Sequence, residues 1–417
     1  MRTLNSWLPV SSDSDFSIYN LPFGIFHTGD GKARAGIAIG DHIVDLATAA
    51  EAGLFGKRRF FKKIFEKNTL NDFIALGKPV TNRVRRKVQE WLAQPSAPEN
   101  ASRILVNRLS AQMLMPVQVG NYTDFYSSIE HATNVGKMFR PDNPLLPNWR
   151  WLPVAYHGRA SSIVVSGTPI RRPWGQIVPK GQETPVFAPS QQLDFELETA
   201  FVIGKNSALG EPIPIERAEE YIFGLVLFND WSARDIQRWE YVPLGPFLGK
   251  NFGSSISPWI VPLEALKPFR VKGPQQTPAP LPYLQHPSKI SQNYDIALEV
   301  GVKSEKNNSE TVISRSNTRY LYWTIAQQLA HHTVNGCNVC VGDLMASGTI
   351  SGSTKGSYGS MLELSWSGKE PIPLNDGSSR TFLLDGDTVT MRGWAEKNGL
   401  RVGFGEVRGT ILPANII

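Results

Sequence analysis

Cysteine is scarce: the 417 residues hold only Cys337 and Cys340, which excludes a disulfide-stapled scaffold. Long apolar runs are missing too. The most suggestive stretch, residues 221–228, falls far short of the about 18 residues a bilayer-spanning helix needs. The opening MRTLNSWLPVSSDSDF places polar residues where a secretory signal requires its apolar core, so the expectation is a cytoplasmic protein with no membrane partner. No charge of one sign dominates. Lys and Arg total 43 against 37 Asp and Glu, a formal +6, and that balance suits anionic small molecules as readily as nucleic acid. Neither a Gly-x-Ser-x-Gly elbow nor a Walker A loop occurs, and VGFGEVRG falls short of a dinucleotide fingerprint.

What is present describes a folded chain. Hydrophobic residues make up 41% and charged residues 19%, well outside the range of disordered sequences. Residues 1–116 read as one unit: a strand pair at 35–46 turning at Gly40 and Asp41, then helical patterns around 70–80 and 83–92. Lys57, Arg58, Arg59, Lys62 and Lys63, and further on Arg83, Arg85, Arg86 and Lys87, are expected on amphipathic helices with their cations in solvent. No nucleic-acid partner is expected from them. Residues 117–417 read as a second, mainly β domain with strands at 162–165, 192–203, 222–228, 294–302, 361–366 and 388–394. The proline-rich residues 274–287 read as an excursion between strands.

Four segments carry chemistry. In QLDFELETAF, strand alternation puts Asp194, Glu196 and Glu198 on one face. Carboxylates so close need solvent, protons or a cation, and oxygen ligands suit magnesium or calcium; a solvated acidic edge is the alternative. NDWSARDIQRWEYVPLGPFLGKNFG follows an apolar strand and carries Asp230, Arg234, Gln237 and Lys250. An Asp230–Arg234 salt bridge and a solvated Lys250 are its ordinary reading. In YTDFYSSIEHATNV, Asp124 and His131 are seven apart and share a face if the segment is helical. The first offers a metal oxygen and the second a proton acceptor, with a surface carboxylate and a hydrogen-bonded histidine as the plain alternative. Nearby Arg140, Tyr126 and Tyr156 can grip a carboxylate. In ASGTISGSTKGSYGSMLELSW, alternation at Met361, Glu363 and Ser365 suggests a strand that aims Glu363 at a polar cavity, to orient His131. The Cys337/Cys340 pair reads as ordinary reduced thiols; His331 and His332 nearby make zinc the lesser alternative.

The ordered run of YTDFYSSIEHATNVGKMFR, LPNWRWLPVAYHGRASSIVVSG, DFELETAFVIG, LVLFNDWSARDIQRWEYVPLGPFLGKNFG and GDLMASGTISG resembles the fumarylacetoacetase family over nearly the full length. The resemblance implies a mainly β fold with α/β elements: a small SH3-like barrel domain at residues 1–116 and a mixed β-sandwich-roll catalytic domain at 117–417, assembled as a homodimer. It implies a metal, Mg2+ or Ca2+, on Asp124, Glu196, Glu198 and Asp230, leaving Asp194 out. It implies that His131 activates water, that Glu363 orients His131, and that Lys250 and Gln237 stabilise the leaving fragment. Tyr126, Arg140, Tyr156, Gln237, Tyr241 and Thr349 would bind a dicarboxylate diketone substrate, with Arg234 and Ser254 auxiliary. The implied reaction is hydrolysis of the carbon–carbon bond of 4-fumarylacetoacetate. A related acylpyruvate or β-diketone hydrolase and a noncatalytic metal-binding scaffold are the competing readings.

Overall fold

The computed structural model describes residues 4–29, 31–287, 292–306 and 309–416. The N-terminal strands form an antiparallel sheet in the order Leu105–Asn107, His42–Asp45, Arg34–Ile39, Phe23–His27, Gln112–Leu114. The anticipated strand pair lies at its centre, turning at Gly40 with φ +53°, a conformation glycine adopts without Cβ strain. Asp45 closes the pair and caps the helix Leu46–Glu51, its Oδ1 accepting the N–H groups of Ala47 and Thr48 at 3.0 and 3.1 Å. The helices Arg58–Phe65 and Lys78–Leu92 bury the apolar faces that their spacing predicts. Arg85 departs from the expected solvated face. It is buried and donates to the carbonyls of Asn20 and Tyr19, and burial pulls its guanidinium down to about 10, so it stays charged at neutral pH.

Two further sheets stack on one another. The larger runs Ala155–Gly158, Tyr122–Phe125, Leu344–Ala346, Leu197–Ile203, Ile222–Asp230, Ser254–Ile256, Ile163–Val165, with Val261–Pro262 attached to Ile222–Asp230. The smaller runs Thr311–Asn317, Ala297–Lys303, Thr388–Lys397, Leu400–Leu412, Ile170–Arg171. Along Ile222–Asp230, the side chains of Ile222, Leu225 and Leu227 enter the core shared with the smaller sheet, while Phe223, Val226 and Phe228 enter the core shared with the N-terminal sheet. Burial on both faces explains why this stretch is apolar without alternation. The fold is mainly β with α/β elements: an SH3-like N-terminal unit against a mixed sandwich-roll.

Local structure departs from sequence periodicity in three places, all at the carboxylates. Residues 192–203 do not form one strand: Leu193–Asp194 pairs with Ser232–Ala233, Leu197–Ile203 pairs with Ile222–Asp230, and Glu196 makes an isolated bridge to Ser360. Asp194, Glu196 and Glu198 are all buried, which overturns the solvated acidic edge. Asp124 lies on the strand Tyr122–Phe125 and His131 on the helix Ile129–Phe139, so they share no helical face. Residues 361–364 form a helix rather than a strand. There the Ser360 hydroxyl accepts the Glu363 N–H at 3.4 Å, and this N-terminal cap outweighs the alternation.

Candidate active site and metal centre

Asp124, Glu198 and Asp230 meet because three strands of one sheet, the first separated from the second by Leu344–Ala346, present them on one face. Asp124 stands opposite Ala346, Ala346 opposite Ala200, and Glu198 opposite Phe228. Residues two apart share a face, so Glu198 follows Ala200 and Asp230 follows Phe228 on the side covered by the N-terminal unit. Glu196 joins from the break in its strand, its N–H held by Asn229 Oδ1 at 3.1 Å. One oxygen from each of Asp124, Glu196, Glu198 and Asp230 lies within 4.8 Å of the others, and all four residues are buried.

Two cations meet this cluster, though not as sequence proximity suggested. Arg234 does not pair with Asp230. It bonds Asp194 Oδ2 through Nε at 2.8 Å and Glu196 Oε1 through Nη1 at 2.8 Å. Lys250 is buried rather than solvated, its ammonium between Glu196 Oε2 and Asp230 Oδ2, the latter at 2.7 Å. Ser254 donates to Asp230 Oδ1 at 2.8 Å. The Tyr156 hydroxyl lies 2.7 Å from Asp230 Oδ2 and 3.0 Å from Asp124 Oδ2, but one hydrogen can serve only one of them.

Asp124 Oδ1 and Glu198 Oε1 are buried with no hydrogen-bond partner among the described residues. Burial, then repulsion from neighbouring carboxylates, pushes both carboxyls well above their ordinary range. Glu196 escapes this because Lys250 and Arg234 outweigh its burial and hold it low. An all-oxygen set with two orphaned anionic oxygens fits a hard divalent cation, magnesium or calcium. Such an ion would occupy the lone pairs that no described residue serves.

Beside the carboxylates, His131 Nδ1 meets Glu363 Oε2 at 2.7 Å, both side chains buried. Each residue is third in a serine-capped helix: Ser128 accepts the His131 N–H as Ser360 accepts that of Glu363. Burial would raise the Glu363 carboxyl, but the imidazole beside it and hydrogen bonds from His131, Asn134 and Ser351 hold it below the ordinary glutamate range. An ionised Glu363 can only accept, so the neutral imidazole carries its hydrogen on Nδ1 and leaves the Nε2 lone pair free. Tyr126 packs edge-on against this ring at 5.2 Å, which fixes its plane.

The remaining candidates are placed as follows. Arg140 ends the helix Ile129–Phe139; its Nη2 reaches the Pro144 carbonyl at 3.4 Å, while its Nε is buried with no partner among the described residues. Thr349 Oγ1 is likewise buried and unpaired. Gln237 Oε1 accepts from Arg234 Nη1 at 3.2 Å. Tyr241 stands exposed where the helix Arg234–Glu240 ends. The Arg140 turn depends on Gly136, where a Cβ would sit 2.0 Å from the Pro144 carbonyl oxygen. Gly136→Ala should therefore cost more than about 2 kcal/mol of stability, read as a lowered denaturant midpoint; an unchanged midpoint would contradict this packing. Sequence reasoning passed over Asn134, Ser351 and Ser360, which all bond Glu363; the Ser-x-x-Glu spacing at 360–363 was their one visible signal. The resemblance leaves Asp194 outside the metal set. Its carboxylate accepts the N–H groups of Met361 and Leu362 at 2.7 and 3.0 Å and so anchors the Glu363 helix.

A cavity of about 610 Å3 opens onto Tyr156, Asp230, Lys250 and Ser254. Away from it, His331 Nδ1 meets the Tyr283 hydroxyl at 3.0 Å and His332 Nε2 meets Thr123 Oγ1 at 3.0 Å. Cys337 and Cys340 are free. Burial pushes the Cys340 thiol up, the opposite of what a reactive thiolate needs. Among the described residues no helix is long and apolar enough to cross a membrane.

The family descriptions "Fumarylacetoacetase N-terminal" and "Fumarylacetoacetate (FAA) hydrolase C-terminal" match residues 19–116 and 121–412. Fumarylacetoacetase from Rattus norvegicus is 53% identical over 98% of this chain and 99% of its own length. The Arabidopsis thaliana fumarylacetoacetase is 51% identical over 99% of this chain and all of its own. Among solved structures, a fumarylacetoacetate hydrolase from the psychrophilic Exiguobacterium antarcticum shares the fold, with a TM-score of 0.53 at 18% identity over 94% of this chain and 99% of its own. With relatives matched end to end at about half identity and two family descriptions spanning most of its residues, the chain belongs to the fumarylacetoacetase family and is an enzyme, a hydrolase of carbon–carbon bonds.

Proposed function

We propose that this enzyme hydrolyses 4-fumarylacetoacetate to fumarate and acetoacetate, the last step of tyrosine and phenylalanine breakdown. The observation that carries this reading is the buried carboxylate set beside a His131–Glu363 pair whose free Nε2 can take a proton. Asp124, Glu196, Glu198 and Asp230 would hold the divalent cation, Mg2+ or Ca2+. When bound, that ion supplies electrophilic polarisation of the substrate oxygens and balances negative charge as water adds to the ketone.

The chain's own groups do the rest. His131 accepts the proton of the attacking water at Nε2, and Glu363 stabilises the resulting imidazolium through Nδ1. Addition of hydroxide to the ketone carbon is followed by carbon–carbon cleavage; the acetoacetate fragment departs with enolate character and is protonated at carbon by the proton that His131 took from water, which returns the imidazole to its neutral form. Lys250, kept protonated by Asp230 and Glu196 against its burial, faces that developing charge together with Gln237. Arg234 holds Glu196 in place and Ser254 holds Asp230. The unpaired Arg140 Nε and Thr349 Oγ1 are polar atoms awaiting a partner; with Tyr126, Tyr156 and Tyr241 they form the recognition shell for a dicarboxylate. Residues 1–116 and 117–417 serve as the N-terminal and catalytic domains.

The enzyme works as a cytoplasmic homodimer in this reading, and the exposed apolar side chains of Val242, Leu244 and Phe247 support a second copy. Purified protein supplied with magnesium or calcium should release fumarate and acetoacetate in equal amounts. That activity should sediment at about twice the 46.2 kDa of one chain. Cleavage of simple acylpyruvates in preference to fumarylacetoacetate would assign another substrate, and no cleavage with any cation would leave a metal-binding scaffold.

A further inference from the structure

Glu363 is bonded on both carboxylate oxygens, and the two sides are unequal. Oε2 takes three groups: His131 Nδ1 at 2.7 Å, the Ser351 hydroxyl at 2.8 Å and the Ser360 hydroxyl at 3.0 Å. Oε1 takes the Asn134 amide, Nδ2 donating at 2.9 Å, its one hydrogen bond among the described residues. Asn134 is buried and stands three residues after His131 on the helix Ile129–Phe139, so both side chains leave the same face. One rigid helix therefore presents the imidazole to one oxygen of Glu363 and an amide donor to the other.

We propose that Asn134 is the positioning residue of the His131–Glu363 pair: its amide locks the rotation of the Glu363 carboxylate, so that Oε2 alone faces the histidine and Nε2 alone faces the water. This rests on the proposed role of His131 as base and extends it to a residue that touches neither substrate nor reacting water. A carboxylate with one bare oxygen can turn about its last torsion, which is broad. Asn134 closes that freedom. Its donated hydrogen also tempers the basicity of Glu363, and with it the hold of Glu363 on an imidazolium. The other ionisable groups around the pair are Glu196, Glu130, Tyr126, Arg234 and Arg140, and replacing Asn134 alters none of their charges.

Asn134→Leu keeps the volume and removes the donor. It should lower kcat by about 10- to 100-fold with KM and divalent-cation affinity within about two-fold of wild type. The acid limb of kcat/KM should move to higher pH, because a more basic Glu363 keeps the proton on the imidazole longer. Asn134→Ser retains a shorter donor and should lose less. Wild-type kcat and an unmoved acid limb in either folded variant would overturn the proposal. A loss in which KM and cation affinity change as much as kcat would make Asn134 merely structural, as would failure of both variants to fold, and either result overturns it. His131→Ala, assayed alongside, separates the two ideas: full turnover in that variant sinks the base assignment itself, whereas a dead His131→Ala beside a wild-type-like Asn134→Leu sinks only the role of Asn134.

Discussion

His131→Ala should bind its divalent cation as wild type does and turn over about 10²- to 10⁴-fold more slowly. The separation follows from where the two functions sit. The proposed cation ligands are four carboxylates on strands and at a strand break, whereas His131 comes from a helix and, among the described residues, its side chain hydrogen-bonds Glu363 alone. Removing the imidazole leaves Glu363 Oε2 with the Ser351 and Ser360 hydroxyls and Oε1 with Asn134, so the carboxylate keeps its partners and the helix ends keep their caps. A folded, cation-loaded and slow enzyme is the expected result, read from steady-state rates and cation titration on one preparation. Turnover close to wild type would remove His131 as the base.

Glu198→Gln should act on the other half of the site. Glu198 Oε2 accepts the Gly348 N–H at 3.0 Å, and its Oε1 has no partner among the described residues. A glutamine that keeps the first contact turns its amide hydrogens towards the other carboxylates, where an ion would otherwise sit. Cation affinity should fall at least about 100-fold, taking turnover with it. Stability should move the other way when cation is withheld. Burial and like charges raise the Glu198 carboxyl, so folding costs free energy at every pH above the ordinary glutamate range, near about 4.3. The cation-free wild type therefore loses stability as pH climbs through that range towards the raised folded value, and Glu198→Gln, which has no charge there, should melt higher at neutral pH. Adding magnesium or calcium should reverse the order by stabilising wild type alone. A variant that melts lower without cation, or binds it normally, would mean that Glu198 is no part of the cation site.

The sequence made the acidic residues visible but not their partners. Asp124, Glu196, Glu198 and Asp230 stand out as carboxylates beside apolar strands, and two-residue periodicity suffices to place Glu198 and Asp230 on strand faces. It cannot show that Ile222–Asp230 is covered on both sides, and that burial is what makes unsolvated carboxylates demand a cation. The Arg234–Asp194 pairing was hidden for the same reason: Arg234 is four residues from Asp230 but reaches back to a ribbon 40 residues earlier. Periodicity misread residues 361–365 because a four-residue helix is too short to show a 3.6-residue repeat, and only the Ser-x-x-Glu spacing betrays it. The His131–Glu363 contact spans 232 residues and has no local signal. Residue chemistry alone, a carboxylate able to orient a histidine, suggests the pairing, and the resemblance implies the same two roles.

The most direct trial of the central idea is to strip the protein with a chelator and return magnesium or calcium in steps, following fumarate release and bound ion together. Release should start from background, rise in proportion to the ion bound and level off at about one ion per chain. If stripped protein cleaved the substrate as fast as loaded protein, water activation in this buried acidic pocket would not depend on a cation, and the account given for Asp124, Glu196, Glu198 and Asp230 would be wrong.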